Sequence, residues 1–67
     1  MIIETKLIQM AWDRVPGVML QTNIDKLPDL YEFISAIEEE FGVKIMQEAL
    51  SEAETFGDLL ILIEDSI

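Results

Sequence analysis

The side chains able to do chemistry in this chain are almost all oxygen acids. Its 67 residues hold 14 Asp and Glu against 4 Lys and Arg, with no histidine and no cysteine. Without cysteine there is neither a thiolate nucleophile nor a disulfide. Without histidine the commonest general base and metal ligand is missing. Acid–base work is left to carboxylates, and no pair of them is set apart from a solvated helix face. The D-x-D-x-D-G spacing of a calcium loop is absent. The expected class is therefore not an enzyme, with no catalytic residue and no metal ligand assigned.

What remains for the carboxylates is docking. A net charge of −10 repels nucleic-acid phosphates and anionic lipid and steers the chain toward a cationic surface. The expected partner is the basic surface of another protein, with no nucleic acid and no membrane. Glu38, Glu39 and Glu40 come just before Gly42, a natural helix stop. Acids there sit at the negative end of the helix dipole. Such a placement is locally costly and points to a use for the charge.

The elements that must position these acids are helical. Ile3, Leu7, Met10 and Arg14 form one stripe, and Glu4, Ile8, Ala11 and Val15 the next, which predicts a helix over 3–15. Pro16-Gly17 ends it. Trp12 falls at the border of its apolar face, as core or core-edge packing. Residues 18–28 read as a loop with apolar plugs at Val18, Leu20, Ile24 and Leu27, and a short turn at Asn23-Ile24-Asp25. A second helix begins at Pro28 or Asp29, where Asp29 and Glu32 have capping-box spacing. Leu30, Phe33, Ile34, Ile37 and Phe41 form its buried stripe. Val43-Lys44-Ile45 is an extended link. A short third helix covers 46–51, with Met46, Ala49 and Leu50 inward. Thr55 and Asp58 make a second capping box opening a last helix over 56–65, cored by Leu59, Leu62 and Ile63 with Leu60 or Ile61 at the edges. The expected fold is all-α: one domain over 1–67, a bundle of three main helices plus one short helix. At 51% hydrophobic residues the chain can fill one core. No apolar run approaches the roughly 18 residues of a membrane span. The opening lacks a basic segment followed by an apolar block, so it does not read as a signal peptide. A soluble cytoplasmic protein is expected.

Two of these motifs resemble a known family. Ala36-Ile37-Glu38-Glu39-Glu40-Phe41-Gly42-Val43-Lys44-Ile45 resembles the end of helix two and the following link in acyl carrier proteins. Thr55-Phe56-Gly57-Asp58-Leu59 resembles the T-V-G-D-L opening of that family's last helix, and the separation of the two motifs matches without a gap. Glu32 falls where the family has an acidic residue in helix two. The likeness covers about 20–65, and the first helix only by its pattern. It implies an acyl-carrier-like bundle.

The family's defining feature is Asp-Ser-Leu at the start of helix two, where the serine hydroxyl carries 4′-phosphopantetheine. Counted back from EEEF without a gap, those positions are Lys26, Leu27 and Pro28, and none has a hydroxyl. Alternatively Thr22-Asn23-Ile24-Asp25-Lys26-Leu27 matches the family's T-S-F-E-E-L segment, and the loop before Asp29 has lost the serine. Ser35 lies more than a turn into helix two, Thr22 lies in the loop, and Ser51 and Ser66 are far along the chain. No cofactor is therefore expected. The resemblance implies a carrier-like, non-catalytic module of fatty-acid, polyketide or related biosynthesis. It would dock through Asp29, Glu32, Ser35, Glu38 and Glu39 without a pantetheine arm. A functional carrier with a displaced attachment site and an unrelated acidic helical interaction module are the alternatives. The shortened loop further predicts that Tyr31, Phe33 or Trp12 fills the interior where the family houses acyl chains.

Overall fold

The computed structural model describes residues 3–66. Four α-helices follow one another: α1 (Ile3–Trp12), α2 (Leu30–Phe41), α3 (Gln47–Glu52) and α4 (Phe56–Ser66), with a 3-10 turn at Ile24–Lys26 before α2. The fold is all-α, with three main helices and a short third one, as the stripes predict.

One core joins every element. α1 contributes Leu7 and Ala11; the loop contributes Val18, Ile24 and Leu27; α2 contributes Phe33, Ile34 and Ile37. Ile45, Leu50 and the α4 series Phe56, Leu59, Leu60 and Ile63 close it. That last series has i, i+3, i+4, i+7 spacing, so one face of α4 turns wholly inward. Leu62, expected in the core, is only partly buried, and Leu60 takes the place while Ile61 faces out. Phe33 and Phe56 meet edge to face, with centroids 6.3 Å apart and planes at 80°, a favoured aromatic geometry. Of the three aromatics expected to fill the interior, Phe33 does so. Trp12 and Tyr31 stay at the surface.

The long loop is held by α4. Leu20 and Thr22 carbonyls accept from the Gly57 and Phe56 N–H groups at 2.8 and 3.0 Å, and Ile24 N–H donates to the Glu54 carbonyl at 2.9 Å. The Thr55 hydroxyl takes the Asp58 N–H at 3.2 Å, and the Asp58 carboxylate accepts from the Glu54 and Thr55 N–H groups at 3.0 and 3.2 Å. This is the capping box expected there, and the first-turn donors of α4 are satisfied within the protein. Those two N–H groups hold the Asp58 carboxyl below its ordinary value. Gly57 permits the close approach: a Cβ there would lie 3.3 Å from the Leu20 carbonyl oxygen.

Three further expectations need correction. α1 stops at Trp12 rather than 15, because Pro16 disfavours helical backbone at Val15; its last turn is finished by Arg14 and Val15 N–H groups on the Ala11 carbonyl. The Asp29 side chain makes no cap bond to α2. Met46 is 66% exposed, since the link 43–46 is extended and alternates, with Val43 and Ile45 inward and Lys44 and Met46 outward.

Candidate functional site

α2 carries four acidic side chains, Glu32, Glu38, Glu39 and Glu40, the most of any helix described, and like α3 and α4 it has no Lys or Arg. Phe33, Ile34 and Ile37 fix its rotation by facing the core. Glu32, Ser35 and Glu39 follow at i, i+3 and i+7 on the opposite side, and all three are exposed. The five residues expected to dock therefore divide.

Asp29 and Glu38 serve the fold. Asp29 Oδ2 lies 3.6 Å from Arg14 Nε, and the Arg14 guanidinium lies over the Phe33 ring, 5.1 Å from its centroid. The Asp29 carboxylate faces this cation and makes no bond to the first-turn amides of α2. The Asp29–Glu32 box does not form. Asp29 Oδ1 and Arg14 Nε are buried without a hydrogen bond, so the pair is a charge contact rather than a bonded bridge.

Glu38 explains the costly placement of acid at the end of α2. Gly42, in the left-handed conformation at φ 66°, turns the chain and donates its N–H to the Glu38 carbonyl. Val43 N–H donates to the same carbonyl at 3.1 Å. The Glu38 carboxylate then accepts from Ile45 N–H at 2.8 Å, which seats Ile45 in the core. A hydrogen bond to a charged acceptor contributes about 1.5–3 kcal/mol. The unfavourable dipole costs about 0.3–1 kcal/mol, so the bond wins. Glu40 is also engaged, 3.7 Å from Lys6 of α1. Glu39 is the member of the triplet that faces water with no such role.

Beside the stripe stands Tyr31, 68% exposed. It lines a hollow of about 220 Å³ with Ile24, Leu30, Leu50 and Ser51, between the 3-10 turn, α2 and α3. The expectation that Tyr31 fills the interior is not met. Its position off the stripe of Leu30, Phe33, Ile34 and Ile37 is the signal that it faces out. Where the resemblance would put an attachment serine, Leu27 is buried and Lys26 and Pro28 are exposed. The other hydroxyls named above are in use: Thr22 Oγ1 accepts from Met19 N–H, and Ser51 and Ser66 donate to the Glu48 and Leu62 carbonyls. Ser35 is exposed in the middle of α2.

Among the described residues, no three acidic side chains are placed to hold a metal ion. No helix among them is long and apolar enough to cross a membrane. No family model, curated protein or solved structure matches this chain.

Proposed function

We propose that the chain is an acyl-carrier-like docking module that binds the basic surface of a partner enzyme of fatty-acid, polyketide or related biosynthesis and carries no pantetheine arm. One observation supports this reading above the rest. Glu32, Ser35 and Glu39 make an exposed acidic stripe on a helix with no basic residue, set firmly by its buried side. Tyr31 at the end of that stripe offers an aromatic anchor of the kind that dominates interfaces. The acids govern orientation and on-rate, and the tyrosine slows release. The order of long, long, short and long helices fits a carrier bundle. The absence of a hydroxyl from Asp25 to Leu30 fits a module that no longer carries a group. This reading places the module in the cytoplasm, beside the enzymes it would serve.

The test uses a purified ketosynthase that accepts acyl carrier proteins. The chain is expected to compete with a loaded carrier for that enzyme, and Glu32→Lys with Glu39→Lys to abolish the competition. Incubation with a phosphopantetheinyl transferase and coenzyme A, the donor of the group, is expected to leave the intact mass unchanged. A gain of one phosphopantetheine would instead identify a working carrier with a displaced site. Failure to compete at all would identify an unrelated acidic module.

A further inference from the structure

α1 has a second apolar face. Leu7 and Ala11 point into the core, while Ile8 and Trp12 stand one turn apart on another side. With Met19 and Leu20 of the following loop they line a groove of about 300 Å³ that includes no residue of α2. Trp12 is 48% and Met19 55% exposed. The walls are fixed rather than loose. Trp12 Nε1 donates to the Val18 carbonyl at 2.8 Å, and Met19 N–H donates to Thr22 Oγ1 at 2.8 Å. The Leu20 carbonyl accepts from Gly57 N–H at 2.8 Å. A tryptophan held in place with its face in water, opposite a pliable methionine, is preorganised for an apolar guest.

The charge around the groove selects the guest. Glu4 lines it, and Asp13 borders the hollow on the other side of Trp12. Lys6, which borders the same hollow, lies 3.7 Å from Glu40. Arg14 is turned inward over Phe33. A second copy of the chain would bring another charge of −10 to a molecule of the same charge, so charge opposes self-association. We propose that this groove seats the apolar face of a cationic amphipathic helix, with apolar side chains on Trp12 and Met19 and a Lys or Arg beside Glu4, drawn by the net charge of −10. This surface is separate from the α2 stripe and does not depend on it.

Trp12 is the sole tryptophan, so its emission reports the groove directly. The probe is a tryptophan-free amphipathic peptide of leucine and lysine, with a leucine and glutamate peptide of the same pattern as its counterpart. The lysine peptide is expected to give a saturable blue shift and the glutamate peptide none. Met19→Glu, at an exposed position, is expected to weaken binding about tenfold, equal to about 1.4 kcal/mol. Glu4→Lys should weaken it in the same direction, and Glu39→Lys on α2 should leave it within about twofold. Circular dichroism of each variant shows that the helices are retained. No shift, an equal shift with the glutamate peptide, or an equal loss in Glu39→Lys would overturn the proposal. So would a blue shift on concentrating the protein alone, which would assign the groove to a second copy.

Discussion

Glu38 and Glu39 are neighbours of one type with different work. The Glu38 carboxylate takes the Ile45 N–H, a partly buried donor, whereas Glu39 faces solvent. Leaving a buried donor unpaired costs about 1–3 kcal/mol, while a surface change away from such contacts stays within about 0.5 kcal/mol. Glu38→Ala is therefore expected to lower the urea midpoint clearly, Glu38→Gln to recover much of the loss through its amide oxygen, and Glu39→Ala to leave the midpoint in place. Equal midpoints for the two alanine variants would show that the bond contributes nothing. The identity of both residues was plain in the sequence, but their roles were not. Glu38 is distinguished by an N–H seven positions later, which reaches it only because Gly42 turns the chain. Asp29 was misread for the same kind of reason, since its partner, Arg14, comes from another element.

At the scale of elements, local pattern carried further. The inward stripe of α2, the Gly42 stop and the Thr55–Asp58 box are each written within about one or two helical turns, and each is found in place. The end of α1 and the outward Met46 follow from Pro16 and from the alternation of the extended link, which a helical template passes over, and the exposed Trp12 depends on what packs nearby, which periodicity does not report. The loop 18–28 shows the point most clearly. Its plugs Val18, Ile24 and Leu27 were legible as apolar residues in polar surroundings. That α4 ties its backbone down at Leu20, Thr22 and Ile24 was not legible. The Thr55 cap therefore supports two things, the start of α4 and the loop bonded to it. Thr55→Ala is expected to cost about 1 kcal/mol, which in a domain of this size lowers Tm by about 4–8 °C. Amide exchange should quicken at Phe56 and Gly57, whose N–H groups hold the loop. Faster exchange confined to the far end of α4 would argue against this coupling.

For the whole molecule the deciding quantity is 14 acids against 4 bases. The ion pairs Lys6–Glu40 at 3.7 Å and Arg14–Asp29 at 3.6 Å are charge contacts beyond hydrogen-bond length. The first is exposed and contributes little, and the second is partly buried with atoms left without a hydrogen bond, so its attraction is offset by desolvation. Self-repulsion is then the larger electrostatic influence, and added salt should stabilise the fold by screening it. Acid acts in two directions. Protonation of exposed carboxylates relieves repulsion as pH falls from neutrality. Asp58 opposes this, because its N–H partners hold the folded carboxyl below the unfolded value of 3.8. A group lowered in the folded state contributes its full stability above the unfolded value and loses it as pH falls through the folded one. Stability is therefore expected to rise on mild acidification and to fall again below about 3.8. Asp58→Asn should be less stable than the natural chain at neutral pH, and the gap should close in that acid range. Thermal melts of both proteins from pH 7 to pH 2 decide it, and a gap that stays constant with pH would mean that the Asp58 charge has no part in holding the cap.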